Sequence, residues 1–421
     1  MTSFFSSRAV VIAAFSLFLG SLEAGDPVQY PDSGGDSKSV LGGKEGIDTL
    51  KVNRLKVDLF GSASYIYDSN TTQTPVAQDA SIYVFAFGAN VAMGSPSRRG
   101  VFYGADYLGQ VFGYDDVASA FGRDSLEHSL GAFFGVNGGL TRIRVDGDYR
   151  RNNGNSLQFD HFNNETRRAQ SHDYDFAVDV VRDLPHGSLE FGAGSSIRDF
   201  DDNVNLNDGE STFGDLAWFY EPGFAPKTQI GLGFRFGSDN YFGNADQEYI
   251  TPSVRWRYSL SGKTSLYSSL GYESRSVSGP TGIDSENFVY SGGLSWAATS
   301  KSRFDFGYYQ NVNPSYVSLG EDVERSGVTV KMNHQLPGRF VLGTQVGFES
   351  SDYFNSQTNG ANSGRNDDFT RLGVDLSHPL VIANRFSGQW SIFYNYNTNN
   401  SNILPAEFDQ SIAGFRVGLN Y

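Results

Sequence analysis

Residues 54–68, RLKVDLFGSASYIYD, decide the fold, because apolar and polar side chains alternate along this stretch. One face is apolar or small and comprises Leu55, Val57, Leu59, Gly61, Ala63, Tyr65 and Tyr67. The other face carries Lys56, Asp58, Ser62, Ser64 and Asp68. Successive side chains of a β-strand point to opposite faces of the sheet, so a period of two predicts a strand with one apolar and one polar surface.

The same alternation recurs down to Tyr421, in segments of roughly 10–14 residues, which is the length a tilted strand needs to cross a bilayer. We predict 18 strands, at residues 54–68, 81–93, 100–112, 125–137, 140–151, 171–183, 187–199, 211–221, 228–237, 247–258, 264–275, 286–297, 302–311, 323–334, 339–350, 367–378, 386–397 and 410–421.

Short and long connections alternate between these segments. The short ones, most with Gly or Pro, occupy residues 94–99, 138–139, 184–186, 222–227, 259–263, 298–301, 335–338 and 379–385. The intervening ones, such as 151–170 and 351–366, are polar, and we expect most to have ten or more residues. Outer-membrane barrels have short periplasmic turns and long extracellular loops. The sequence therefore predicts an all-β fold, a transmembrane antiparallel up-and-down β-barrel of about 18 strands with both ends of the barrel domain in the periplasm.

Lipid accepts apolar side chains but cannot hydrate a charge, so the apolar face of each strand should point outward. The predicted outward sets include Leu216, Trp218 and Tyr220; Ile230, Leu232, Phe234 and Phe236; Val254, Trp256 and Tyr258; and Trp390, Ile392, Tyr394 and Tyr396. Their aromatic residues gather near strand ends, as in the girdles at the two membrane interfaces. A soluble β-core with the same alternation is the alternative.

The opposite face carries charged residues, which are tolerable only towards water, because an Arg or Lys near the bilayer midplane costs about 2–4 kcal/mol. The predicted pore-lining residues are Arg142, Arg144, Asp146, Asp148, Arg150, Asp173, Asp175, Asp179, Arg255, Arg257, Arg371, Asp375 and Arg416. Such rows could screen solutes by charge, or they could pair across neighbouring strands and stiffen the wall. The sequence leaves both interpretations open.

The first 24 residues have the organisation of a secretory signal peptide. One positive charge precedes the apolar run Ala9–Gly20, and Ala24 offers a cleavage position before Gly25. That run is too short to span a bilayer as a helix, and a buried helix is the alternative. We predict a signal peptide at 1–24, a flexible periplasmic extension at 25–53 and the outer-membrane barrel at 54–421.

Composition narrows the class of protein further. No segment approaches the 18 consecutive apolar residues of a transmembrane helix. The chain has 49 Gly among 421 residues, 14% aromatic residues and no Cys, so no disulfide framework can hold it. The net charge of −15 argues against nucleic acid as a partner.

The C-terminal segment alternates towards an aromatic final residue. Its apolar positions are Ala413, Phe415, Val417, Leu419 and Tyr421. This pattern resembles the β-signal recognised by the barrel-assembly machinery, with Tyr where Phe is commonest. A chance apolar edge strand is the alternative.

Two segments resemble the beta-barrel porin 2 family of bacterial outer-membrane barrels. The first is 65–70, YIYDSN, and the second is the last hairpin, with YNY at 394–396, NSN at 400–402 and GFRVGL at 414–419. The resemblance implies an outer-membrane location and a porin-like role, for some relatives linked to exopolysaccharide secretion, without catalytic residues. In size and strand number the chain also resembles the 18-stranded sugar- or substrate-specific porins.

Motifs for enzymatic chemistry, cofactors or metals are missing from the sequence. There is no His-Glu-x-x-His, Cys cluster or Gly-x-Ser-x-Gly motif. Ser377 and His378 are strand neighbours and should point to opposite faces. The oxygen-rich segment 199–210 could hold Ca²⁺, but it lacks the EF-hand glycine, and a solvated loop explains it better. An outer-membrane hydrolase remains a distant alternative.

These observations predict a non-enzymatic outer-membrane channel for passive or weakly selective diffusion of small hydrophilic solutes. A barrel of 16–18 strands usually encloses an aqueous channel. The alternative is a barrel component of exopolysaccharide export or envelope organisation. Expected partners are outer-membrane lipid, lipopolysaccharide, the barrel-assembly machinery and the solutes, with a homo-oligomer possible.

Overall fold

The computed structural model describes residues 50–52, 55–115, 125–154, 170–201, 208–225, 227–241, 246–278, 283–315, 321–354, 364–383 and 386–421. The strands are β1 Leu50–Val52, β2 Leu55–Asp68, β3 Ala80–Met93, β4 Gly100–Asp115, β5 Ser125–Asn137, β6 Thr141–Asn152, β7 Ser171–Leu184, β8 Gly187–Phe200, β9 Gly209–Tyr220, β10 Thr228–Tyr241, β11 Gln247–Ser261, β12 Thr264–Val277, β13 Ser285–Trp296, β14 Ser302–Pro314, β15 Asp322–Gln335, β16 Val341–Phe354, β17 Asn366–Ala383, β18 Phe386–Ser401 and β19 Phe408–Asn420. Two short 3₁₀ turns occur at Pro337–Arg339 and Leu404–Ala406.

Strands β2 to β19 form a closed antiparallel barrel of 18 strands, in which each strand pairs with its neighbours in sequence. The barrel closes where Phe60–Asp68 of β2 pairs with Ile412–Asn420 of β19. Below this seam, β1 pairs with the start of β2, with Leu50 opposite Val57. Within the described part of the chain, no helix is long and apolar enough to span a bilayer. The predicted fold class and strand number are confirmed.

The predicted alternation of short turns with longer loops is present, but the expectation that most loops have ten or more residues is wrong. Most have fewer than ten residues, for example 242–246 between β10 and β11 and 402–407 between β18 and β19. The cause is that strands run further on the loop side than predicted; β10 reaches Tyr241 instead of residue 237. Pairing between neighbouring strands therefore continues beyond the length that the bilayer requires.

The predicted signal peptide and all but the end of the predicted extension lie outside the described residues. Within the extension, Leu50–Val52 forms the short strand β1.

The two faces of the barrel differ as a lipid environment requires. Large apolar side chains are exposed on the outside, such as Leu232 at 60%, Val254 at 53% and Phe348 at 55%. Polar and charged side chains are buried on the inside, including the fully buried Asn397 and Arg371. A soluble protein buries its apolar residues, so this inverted distribution identifies the outer face as the lipid-facing one.

Aromatic residues form two belts on the outer face. All four tryptophans, Trp218, Trp256, Trp296 and Trp390, lie within five residues of the turn-side end of their strands. On the loop side, tyrosine hydroxyls bond polar groups of the next strand, as for Tyr272 with Glu286 at 2.7 Å and Tyr396 with Asp409 at 2.9 Å. Amphipathic rings at two levels mark the two interfaces of the bilayer.

Glycines on the inner face make room for aromatic rings of the neighbouring strand. The pairs of ring and glycine are Phe60–Gly88, Phe102–Gly135, Phe133–Gly104, Phe213–Gly194, Phe219–Gly231, Tyr249–Gly237, Tyr267–Gly293, Tyr309–Gly327 and Phe393–Gly414. A Cβ atom added to Gly135 would lie 2.1 Å from Cζ of Phe102. Each ring therefore lies flat against the wall, over the space that a side chain at the neighbouring glycine would fill. This packing gives one reason why the chain is rich in both glycine and aromatic residues.

Gly135→Ala should destabilise the barrel by about 1–3 kcal/mol, because the added methyl group forces the Phe102 ring off its site. The measurement is the urea midpoint of folding into lipid vesicles. Gly61→Ala is the matched control, since its Cβ would meet only the Ala86 oxygen, at an ordinary 3.7 Å. Equal midpoints for the two variants would contradict the role of the glycine.

Candidate functional site: the inner wall of the barrel

The thirteen predicted pore-lining residues all lie on the inner face, opposite the exposed apolar face of their own strands. They are Arg142, Arg144, Asp146, Asp148 and Arg150 on β6, Asp173, Asp175 and Asp179 on β7, Arg255 and Arg257 on β11, Arg371 and Asp375 on β17, and Arg416 on β19. On β17, for example, Arg371 is 1% exposed whereas Leu372 is 43% exposed. Their role in solute passage stays a prediction.

Strands β6 to β8 bring a group of these charges together. Arg144 contacts Asp146 at 2.9 Å on the same strand, and Arg198 of β8 contacts Asp173 of β7 at 2.8 Å. Two carboxylates, Asp148 and Asp175, lie directly opposite each other across the β6–β7 pair. Some charges therefore pair and stiffen the wall, and others adjoin like charges, as expected of residues that screen solutes by charge. Both interpretations of the sequence thus have a counterpart in the structure.

Two arginines of β11 reach across neighbouring strands along the wall. Arg255 donates two hydrogen bonds to Asp215 of β9, at 2.8 and 2.5 Å, across β10. Arg257 reaches Glu190 of β8, at 2.8 and 2.9 Å, and its guanidinium lies 3.9 Å from the centre of the Phe219 ring. The forked contacts hold both side chains flat.

Glycines on β10 permit this arrangement. At Gly233 an added Cβ would lie 2.4 Å from Nε of Arg255, and at Gly231 it would lie 2.6 Å from the Phe219 ring. Both arginines were predicted from the sequence as pore-lining residues, whereas Asp215, Glu190 and the glycines were not. The alternation on β8 to β10 placed these residues on the inner face, but it could not show which strands an arginine would cross.

Arg275 is a fully hydrogen-bonded arginine of the inner wall, with a side chain only 2% exposed. Its guanidinium donates to Asp239 of β10 at 2.6 Å, to Gln247 of β11 at 2.7 Å and to Glu273 of its own strand at 3.0 Å. A further bond at 3.3 Å goes to the carbonyl oxygen of Val312 on β14. One side chain therefore ties together strands β10, β11, β12 and β14.

The inner face is not polar throughout, contrary to the prediction. Near the seam, six buried apolar side chains form a cluster, namely Ile66, Ile82, Val84, Phe112, Phe393 and Ile412. Above them Gln410 donates to both carboxylate oxygens of Asp68, at 3.0 and 2.9 Å. The seam thus has a small dry core on its lumen side, which stabilises the contact between the first and last barrel strands.

The predicted assembly signal lies on the last strand. Phe415 and Leu419 are 45% and 43% exposed on the outer face, and Val417 has the same parity. The backbone of Tyr421 exchanges two hydrogen bonds with Leu59, at 2.9 and 3.3 Å. The alternation predicted from the sequence is present, whereas recognition by an assembly machinery stays a prediction.

Several described histidines contact a hydroxyl group. Nδ1 of His334 lies 2.8 Å from Oγ of Ser302, and Nδ1 of His172 lies 2.9 Å from Oη of Tyr149. Asp201 lies 3.7 Å from Nε2 of His172. No group of three metal-ligating side chains occurs among the described residues, and most of the oxygen-rich segment 199–210 lies outside them.

The closed barrel, its apolar exterior and its ionic interior define a transmembrane β-barrel of the outer-membrane type. No protein-family model matches the sequence, and no curated protein matches it either. The resemblance to the beta-barrel porin 2 family therefore stays a prediction.

Several solved outer-membrane proteins have a similar shape. The chain is 15% identical to Pseudomonas aeruginosa OccK1 (OpdK), covering 87% of this chain and 99% of that one, with a TM-score of 0.46. For a BenF-like porin from Pseudomonas fluorescens Pf-5 the identity is 14%, the coverage 88% and 99%, and the TM-score 0.48. For P. aeruginosa OccK2 (OpdF) in complex with glucuronate the identity is 14%, the coverage 87% and 97%, and the TM-score 0.44. At these levels of similarity, the ligands of those proteins do not transfer to this chain.

Proposed function

We propose that the chain is an outer-membrane channel for passive or weakly selective diffusion of small hydrophilic solutes. The observation that carries the proposal is the inverted barrel, with apolar side chains outside and charged side chains inside. A wall of 18 strands encloses a space wide enough for water, unlike an eight-stranded barrel, which its own side chains fill.

The arrangement of bulky inner side chains supports this function. Arg255 and Arg257 lie along the wall, held by Asp215 and Glu190. Inner aromatic rings lie across glycines of the neighbouring strand instead of standing towards the axis. Both features keep large side chains out of the lumen.

Carboxylates outnumber cationic groups on the inner face of β4 to β9. The carboxylates are Asp106, Glu127, Asp146, Asp148, Asp173, Asp175, Asp179, Asp183, Glu190 and Asp215. The cationic groups are Arg142, Arg144, Arg150 and Arg198, together with Arg255 and Arg257 of β11, which reach Asp215 and Glu190. This third of the wall therefore attracts cations, and we expect a weak preference of the channel for cations over anions.

In planar bilayers the refolded protein should form discrete channels whose reversal potential in a KCl gradient has the sign of a cation preference. Asp148→Asn/Asp175→Asn should shift that potential towards zero, because it removes two adjoining charges of the inner wall. Asp368→Asn on the outer face is the matched control and should leave it unchanged. A barrel that folds but never conducts would refute the channel.

The remaining elements of the proposal concern delivery and partners. We propose that residues 1–24 direct export, that 25–53 extend into the periplasm, and that the assembly machinery recognises Phe415, Val417, Leu419 and Tyr421. Lipid and lipopolysaccharide would surround the outer face, through which copies of the barrel could also associate as a homo-oligomer. The channel would need no cofactor and perform no catalysis. The link of some porin 2 relatives to exopolysaccharide secretion would become relevant only if the barrel proved not to conduct.

A further inference from the structure

The wall of the barrel splits on the loop side between β13 and β14. The two strands pair from Trp296 and Phe304 up to Tyr290 and Gln310, where the ladder stops. Both strands continue, β13 from Ser285 and β14 to Pro314, and each remains paired with its other neighbour. Among the described residues, the facing edges 285–289 and 311–314 therefore have no strand partner on the side of the split.

The sequence of β14 explains where the split begins. Residues 310–314 read QNVNP, and asparagine is depleted in strands. Pro314 has no backbone N–H to donate to a ladder. Pairing with β13 is thus weakened from one side, whereas β15 still supports β14 from the other.

Side chains replace the missing ladder bonds at both edges. Nε2 of Gln310 donates to the carbonyl oxygen of Phe288 on β13 at 3.1 Å. Nη2 of Arg275 donates to the carbonyl oxygen of Val312 on β14 at 3.3 Å. One backbone acceptor on each side of the split is therefore bonded by a side chain instead of by the ladder.

Four polar atoms in the split have no hydrogen-bond partner although they are buried. Two are the amide nitrogens of Asn287 and Asn313, and two are the oxygens Oγ of Ser285 and Oδ1 of Asn311. All four residues have inner-face parity at the loop end of their strands. Buried polar groups are normally bonded, so this set indicates a partner from outside the protein.

We propose that the β13–β14 cleft, lined by Ser285, Asn287, Asn311 and Asn313, binds a neutral, hydroxyl-rich solute such as a saccharide. A hydroxyl group both donates and accepts, and it therefore matches a site that offers donors and acceptors side by side. The four lining groups are uncharged. Of the two arginines that lie opposite them in the neighbouring ladders, Arg275 is bonded to Asp239 and Glu273, and Arg325 is only 2% exposed. The inference rests on the proposed channel, since a solute reaches the cleft from the mouth of the lumen.

Maltose is a suitable probe, and saturation-transfer NMR on the protein refolded in detergent measures its binding without requiring conductance. We expect saturable binding that weakens about tenfold in Asn287→Leu/Asn313→Leu, which keeps side-chain volume but removes both amides. Asn333→Leu, on the inner face of β15 at the turn end, is the matched control and should bind as the wild type does. Ser285→Ala, the smallest change, should weaken binding a few-fold even if the double variant fails to fold.

Equal binding by the wild type and the cleft variants would overturn the inference, as would the absence of saturable binding by the wild type, which would mean that the cleft holds water only. A channel that conducts without binding maltose overturns this inference alone. A folded barrel that binds maltose but does not conduct overturns the proposed channel and leaves the site.

Discussion

Arg275→Met should lower the free energy of unfolding by about 3–5 kcal/mol, which is the cost of removing one partner of a buried ion pair. The guanidinium bonds Asp239, Glu273, Gln247 and the Val312 oxygen. Methionine fills a similar volume but leaves two carboxylates buried without their cation. Urea titration of the vesicle-inserted protein, followed by tryptophan fluorescence, measures the change.

Two further variants separate the buried charge from general damage. Arg303→Met removes an arginine that contacts Asp305 at 3.0 Å with its side chain 62% exposed, and it should cost no more than about 1 kcal/mol. The triple variant Arg275→Met/Asp239→Asn/Glu273→Gln also removes the two buried carboxylates that have lost their cation. It should recover part of the lost stability. If Arg275→Met cost no more than Arg303→Met, the role of Arg275 as a joint between four strands would be wrong.

The sequence was sufficient for the fold because period-two alternation fixes the face of every residue once one residue is placed. In β2 the assignment of Tyr65 and Tyr67 to one face and Asp68 to the other is reproduced, with exposures of 47%, 42% and 0%. Loop lengths were not predictable in the same way. Polar strand ends beyond the bilayer alternate weakly, so β10 and β18 extend further than their patterns showed.

The inner wall was predictable as a set of residues but not as a set of contacts. Arg257 and Glu190 are 67 residues apart and meet across two strands, which requires the register of β8 to β11. The split at β13 and β14 has a local indication in QNVNP, which the strand pattern alone did not reveal. The apolar cluster at the seam was missed because Ile66 and Ile412 belong to opposite ends of the barrel sequence.

Leu270→Arg should destabilise the barrel by about 2–4 kcal/mol, because it places a charge in lipid near the bilayer midplane. Leu270 lies at the centre of β12, is 56% exposed on the outer face, and sits two residues below Tyr272 of the loop-side belt. Lipid cannot hydrate a guanidinium, so the side chain must bend towards an interface or draw water inward. The same vesicle-based urea titration measures the loss.

Ser269→Arg is the matched control, because it puts the same side chain one residue away on the lumen side of the same strand. Its cross-strand neighbour Arg255 is held by Asp215 at 2.5 Å, so the new arginine adds a charge to a wall that already carries paired ones. We expect a change within about 1 kcal/mol. Since the depth in the strand and the introduced arginine are shared, the difference between the two variants reports mainly on the medium that each face meets. Equal losses of unfolding free energy in the two variants would mean that both faces of β12 meet the same medium. That result would contradict a barrel with lipid outside and water inside.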